Sequence, residues 1–240
     1  MNVMTIRKLD SVILVAAVLL LHSADARCDA GDNPVLLKVM FNQVERRGSG
    51  GDREDWWETD AWLGRDLDKV WLRSRGRRSS GDTQDAEVQI MYSKAASTYW
   101  DFQTGIRRDF EPAPRDWLAV GFHGLAPYFF KVDTALFLGE SGHTALRAEA
   151  EYDLRLTQRL ILTPDLEFNI YGKDDPAAGR GSGLSDINAG LRLRYEIRRE
   201  FAPYVGITWV REYGETARLS QAAGRTDGDT KIAIGFRAWF

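Results

Sequence analysis

The chain has 240 residues, 28% charged and 44% hydrophobic, a balance that excludes a disordered polyampholyte. Its 32 Lys+Arg against 35 Asp+Glu leave a net charge of -3, without the basic excess of a general nucleic-acid binder. A mean hydropathy of -0.36 excludes a multi-helix membrane protein, and one Cys excludes an internal disulfide and any multi-cysteine zinc or iron–sulfur site.

The first predicted element is a secretory signal. Arg7 and Lys8 precede a ten-residue apolar run, Val12 to Leu21, and Ala24-Asp25-Ala26 offers a small-residue cleavage site. The run is too short to cross a bilayer as a helix, so residues 1–26 read as a signal peptide. Cys28 follows Arg27 and not the small residue that lipidation needs, so no lipid anchor is expected. Residues 27–34 form a short N-terminal segment, and 35–240 read as one unit without a linker or second domain.

With 22 Gly, 8 Trp and 7 Pro, that unit reads as a glycine-punctuated β protein. About twelve strands are predicted, centred near Val39, Trp62, Trp71, Ile90, Gln103, Val120, Thr134, Ala150, Leu166, Leu191, Ile207 and Ile234. The Trp62 strand has the weakest pattern, because Arg65-Asp66 interrupts it. The strongest alternation is Leu146, Ala148, Ala150, Tyr152, Leu154 and Leu156 against Arg147, Glu149, Glu151, Asp153, Arg155 and Thr157. On a helix Leu146 and Ala148 would lie about 200° apart and bury nothing together, whereas on a strand they share a face.

Leu160, Leu162, Pro164, Leu166, Phe168 and Ile170 repeat the pattern, with Ile161 as an exception on the polar face. Pro164 cannot donate to a ladder, so a bulge or a strand start is expected there. Ile187, Ala189, Leu191, Leu193, Tyr195 and Ile197 alternate with polar residues, and so do Ile232, Ile234, Phe236, Ala238 and Phe240.

Length decides the class. These runs greatly exceed the usual soluble strand of about 5–6 residues and match the roughly 9–11 that cross a bilayer when tilted. An apolar face on lipid and a charged face in the lumen define an all-β, transmembrane antiparallel β-barrel in a bacterial outer membrane. A C-terminal Phe on the last strand resembles the signal that bacterial barrels present to their insertion machinery. Polar, Gly-rich segments at 47–55, 77–84, 171–183 and 214–229 are expected as exterior loops. Trp56, Trp57, Trp71, Tyr99, Trp100, Trp117, Tyr128, Phe129, Phe130, Tyr171, Phe201, Tyr204, Trp209 and Trp239 are expected in interfacial girdles.

Several stretches, in order, resemble the copper resistance protein B family. They are Ala86-Glu-Val-Gln through Tyr92-Ser-Lys, Tyr99-Trp-Asp-Phe-Gln, Gly124-Leu-Ala-Pro-Tyr-Phe-Phe and Ala148-Glu-Ala-Glu-Tyr-Asp. Leu156-Thr-Gln-Arg-Leu-Ile-Leu, Gly183-Leu-Ser-Asp and Leu193-Arg-Tyr-Glu-Ile-Arg-Arg-Glu-Phe-Ala-Pro-Tyr-Val-Gly continue the similarity, which runs from about Val35 to Phe240. The resemblance implies an outer-membrane barrel that contributes to copper resistance and homeostasis and binds copper ions. It also implies periplasmic copper-handling neighbours such as a multicopper oxidase. Outer-membrane lipid is the other expected partner, and nucleic acid is not one.

Members of that family often carry a Met- and His-rich segment ahead of the barrel. Beyond Ala26 this chain has only Met40, Met91, His123 and His143 of those residue types, which excludes a multi-copper sponge. Strand parity sends Met40, Met91 and His123 into the lumen, while His143 belongs to a turn. Thioethers and imidazole suit copper, and Glu87, on the face of Met91, adds a harder oxygen ligand. The candidate metal site is therefore Met40, Met91, His123 and Glu87.

The predicted lumen also carries Arg147, Glu149, Glu151, Asp153, Arg155, Asp165, Glu167, Arg192, Arg194, Glu196 and Arg237, as a lattice that either guides ions or closes the barrel. No G-x-S-x-G elbow is present, so enzymatic activity is not expected. The alternative to a copper role is a generic narrow porin-like barrel without a metal.

Overall fold

The computed structural model describes residues 33–49 and 52–240. The signal peptide, Cys28 and most of the short N-terminal segment lie outside the described residues.

Among the described residues thirteen strands follow in chain order. They are β1 (Leu36–Ser49), β2 (Asp52–Gly64), β3 (Asp68–Ser79), β4 (Asp82–Ala95), β5 (Trp100–Glu111), β6 (Arg115–Ala126) and β7 (Phe130–Gly139). Then come β8 (Thr144–Glu151), β9 (Leu154–Arg155), β10 (Leu160–Tyr171), β11 (Gly183–Tyr195), β12 (Phe201–Glu212) and β13 (Gly228–Trp239). Successive strands pair antiparallel, with β8 and β9 both pairing with β10, and β13 pairs with β1 to close the sheet. Closure leaves no edge and satisfies the backbone internally, the condition for a sheet to stand in lipid. Phe240 extends the seam: its N–H donates to the Val39 carbonyl and its carbonyl accepts from Val39 N–H, each at 2.9 Å.

β9 is a two-residue continuation of β8, so the barrel has twelve walls, each at a predicted strand centre. The break between β8 and β9 has a local cause. Pro164 on β10 faces it, accepting from Tyr152 N–H at 3.1 Å without an N–H to return. Pro164 thus sits inside a strand and interrupts its partner instead. Trp62, the weakest predicted centre, lies in a full 13-residue strand.

Alternation holds around the wall. Leu118, Val120, Leu136, Leu138, Leu191, Ile207, Ile232 and Ile234 face outward and are exposed, while Glu87, Gln103, Arg107, Asp109, Arg192 and Arg194 face inward and are buried. In β1 a bulge shifts the phase: the register slips between Phe41 and Val44, so Met40, Asn42 and Gln43 all reach the lumen, followed by Glu45 and Arg47.

Two of the expected loops are strand instead. β1 and β2 run on to Ser49 and from Asp52, and β3 joins β4 through a turn at Ser80-Gly81 with φ of 53° and 93°. Positive φ at both positions is the requirement of a tight two-residue hairpin, which Gly meets at no steric cost. The polar residues of 47–55 and 77–84 therefore form the rim of the wall. The other two loops are present, and the second contains a helix, α1 (Gly214–Ala222). The girdle expectation is corrected in part: Trp71, Trp117, Tyr171 and Tyr204 are buried on the lumen face.

Candidate functional site

The lumen is filled unevenly. Trp71, Met91, Trp117, Ala119, Ala135, Phe137, Ala145 and Tyr171 pack into one buried cluster against the β3–β10 wall. Small residues on β6, β7 and β8 leave room for the large rings of their neighbours.

Ion pairs knit the rest across the barrel. Glu87 on β4 takes Arg107 at 2.8 Å and Arg147, from β8 across the lumen, at 2.7 Å. Arg107 also binds Asp109 at 2.6 Å, and Asp109 accepts from Trp117 Nε1 at 3.0 Å. Arg75 on β3 bonds Glu149 on β8 at 2.7 Å and reaches Glu58 at 3.2 Å and Glu167 at 3.4 Å. Arg192 holds Glu45 at 3.0 Å and also pairs with Asp165. Glu151 takes Lys131 at 2.6 Å and Arg237 at 3.3 Å, while Asp153 takes Arg194 at 3.2 Å. Nine of the predicted lumen charges are thus paired in one lattice, while Arg155 on β9 is exposed and Glu196 lies just beyond β11.

A cavity of about 260 Å³ remains inside this lattice. Met40, Asp60, Trp71, Arg73, His123 and Asp133 are among its lining residues. His123 Nδ1 lies 3.1 Å from Asp133 Oδ2, which also takes Arg73 Nη2 at 2.9 Å. A carboxylate partner makes Nδ1 the donor and leaves the Nε2 lone pair for another ligand. The His123 ring packs 5.6 Å from Trp71, centroid to centroid, and Asn42 donates to Asp60 at 2.8 Å.

Of the predicted site residues, Met40 and His123 line this one cavity. Met91 is 1% exposed, in the aromatic cluster behind Trp71, and Glu87 is taken up by two arginines. His143 stands in the turn after Glu140–Gly142, as expected. Among the described residues no group of three or more His, Cys, Asp and Glu is placed to hold a metal ion.

Asp60, Arg73, Arg75 and Asp133 escaped the sequence reading. A signal was present for the arginines: Val70 and Leu72 face lipid, so parity alone sends Lys69, Trp71, Arg73, Arg75 and Arg77 inward. Their cross-lumen partners carry no such signal.

A closed antiparallel barrel with an apolar exterior and a charged lumen defines the class: an outer-membrane β-barrel protein. Solved structures agree on the fold. The NanC porin superposes with a TM-score of 0.55 at 14% identity, covering 85% of this chain and 99% of that chain. The KdgM porin gives 0.51 at 11% identity, with the same coverage of 85% and 99%.

The family model described as copper resistance protein B precursor (CopB) matches residues 35–240, and the chain belongs to that family. It is 44% identical over 210 residues to copper resistance protein B of Escherichia coli, covering 87% of this chain and 71% of that protein. It is 48% identical over 185 residues to a copper resistance protein B homolog of Pseudomonas syringae pv. tomato, covering 77% of this chain and 63% of the homolog.

Proposed function

We propose that the barrel contributes to copper resistance by binding copper ions in its lumen and restricting their passage across the outer membrane. Met40 and His123 act as the soft ligands. The observation that carries this reading is the Asp133–His123 pair on a cavity also lined by Met40. The carboxylate fixes the imidazole tautomer, as carboxylates hydrogen-bonded to the far ring nitrogen of metal-bound histidines do. Thioether and imidazole together favour Cu(I).

Met91 supports the site from behind Trp71. Glu87 is a ligand only if copper displaces Arg107 or Arg147, so it ranks last in the set. The paired lattice restricts free flow, and the barrel carries out no chemistry on a substrate. Copper held here passes to periplasmic copper-handling proteins such as a multicopper oxidase.

The test is metal analysis of the refolded barrel after exposure to Cu(I), compared with a Met40→Leu, His123→Phe double variant of verified heat-modifiability. Loss of bound copper in the variant is expected. Copper retained at full stoichiometry places the site elsewhere. The rival reading, a narrow porin-like barrel without a metal role, rests on the charged lumen alone; it requires that the unaltered barrel bind no copper and that a deletion strain keep its copper tolerance.

A further inference from the structure

We propose that the outer surface of β1–β3 binds a phosphorylated lipid headgroup of the outer leaflet through Arg46, Arg53 and Arg78. Strand parity turns all three away from the lumen. Arg46 on β1 pairs in register with Asp55 on β2, which pairs with Arg78 on β3, so the three lie in one row. Arg53 stands two residues farther along β2 on the same face. Neighbouring strands lie about 4.8 Å apart, which puts Arg46 and Arg78 roughly 10 Å from each other, the span of a headgroup bearing phosphates.

Depth on the wall argues for lipid. Directly below the row is Trp57, which faces outward, covers Gly76 and donates Nε1 to Ser74 at 3.2 Å. An outward Trp of this kind marks the boundary between hydrocarbon and headgroups. Below it the face is apolar, with Leu63, Val70 and Leu72 all exposed. The arginines thus emerge where hydrocarbon gives way to headgroup phosphates.

Charge argues for an anion. The patch sets three guanidiniums against one carboxylate, and Asp55 pairs with Arg46: Arg46 Nε donates to it at 2.7 Å, with side chains 66% and 53% exposed. Arg78 is exposed and spends its Nε on the Gly81 carbonyl at 2.8 Å, which leaves its paired Nη groups for bidentate contact with phosphate oxygens. Another outward arginine at this end, Arg108, is matched by Asp116, with both oxygens within 3.1 Å. The β5–β6 surface is therefore neutral where the β1–β3 surface is cationic.

The experiment is native mass spectrometry of the purified barrel in a neutral detergent. Bis-phosphorylated lipid A is added in one arm, and the same lipid stripped of both phosphates in the other. The unaltered barrel is expected to retain the phosphorylated lipid and release the stripped one. An Arg46→Gln, Arg53→Gln, Arg78→Gln variant is expected to lose retention by about tenfold or more. An Arg108→Gln, Asp116→Asn control keeps it. Equal retention of the two lipids by the unaltered barrel overturns the proposal without reference to any variant. Undiminished retention by the triple variant, or an equal loss in the control, also overturns it.

Discussion

The two halves of the lumen solve the same problem differently. Toward the longer loops, Glu87, Arg107, Asp109 and Arg147 interlock with Trp117, Phe137 and Tyr171, and Arg107 and Asp109 are each 2% exposed. Toward the short turns, Met40, Asp60, His123 and Asp133 border open space, and the His123 side chain is 38% exposed. A buried ion pair needs complete pairing to offset desolvation, so the first half tolerates little change. A cavity lining can exchange partners, which is what a transient ligand requires. Rigidity at one end thus frames adaptability at the other.

The sharpest way to break this comparison is Glu87→Leu. It leaves Arg107 and Arg147 buried, with Arg107 retaining Asp109 and Arg147 retaining the Asn169 amide at 3.1 Å. Removing one partner of a buried pair costs about 3–5 kcal/mol. The urea midpoint of the refolded barrel should fall accordingly, and an unchanged midpoint would show that this half is not held by its charges.

Next comes the lipid face that both halves share. Leu191→Arg should cost about 2–4 kcal/mol near the bilayer midplane and depress membrane yield. Parity alone rates the neighbouring Arg192→Leu as mild. The structure raises that expectation, because Arg192 holds both Glu45, buried at 3%, and Asp165. Membrane yields of Leu191→Arg, Arg192→Leu and the unaltered chain, measured together, decide whether parity or pairing governs position 192.

That pair of residues also shows what the sequence could tell. Strand period sorts lipid from lumen with two residues' resolution, so the barrel, its twelve walls and the inward course of Met40 and His123 were legible. The phase slip at Asn42 was not, because a bulge needs no special residue. Cross-lumen partners such as Arg75 and Glu149 depend on how the sheet closes, which local pattern does not encode. Helix α1 starts at Gly214 with Tyr213 before it and no side-chain cap, so it left no start signal. Trp71 and Trp117 misled because Trp serves girdles and lumens alike, and only parity separates the two.

A smaller stability effect is expected in the cavity half. Met40→Leu conserves volume and should cost less than about 1.5 kcal/mol. With His123→Phe added, Asp133 keeps Arg73 as its partner at 2.9 Å. Denaturation midpoints near that of the unaltered barrel, beside a much larger loss from Glu87→Leu, would sharpen the contrast. A collapse comparable to Glu87→Leu would erase it.

The smallest stability effect should come from the mouth, where its consequence is conduction. Arg180 lies in the segment between β10 and β11, outside the wall, yet its side chain turns inward. It reaches Asp109 at 3.3 Å, comes within 4.0 Å of Asp85 and lies over the Tyr171 ring at 5.1 Å. The segment is pinned where it turns: Gly181 N–H donates to Thr216 on α1 at 2.8 Å, and Thr216 donates to Ser185 at 3.0 Å. Arg115 anchors its other side through Asp175 at 2.6 Å. Arg180→Ala therefore leaves the loop in place while removing a cation above Asp85 and Asp109. Asp109 keeps Arg107 and Trp117, so no buried carboxylate is left without a partner, and unfolding should change by about 1 kcal/mol, the net worth of one hydrogen bond. Single-channel recordings should show higher conductance and a shift toward cations, because the exposed carboxylates then face the opening. Conductance and selectivity equal to those of the unaltered barrel would mean that the interlocked half of the lumen, and not its Arg180 cap, sets the resistance to ions.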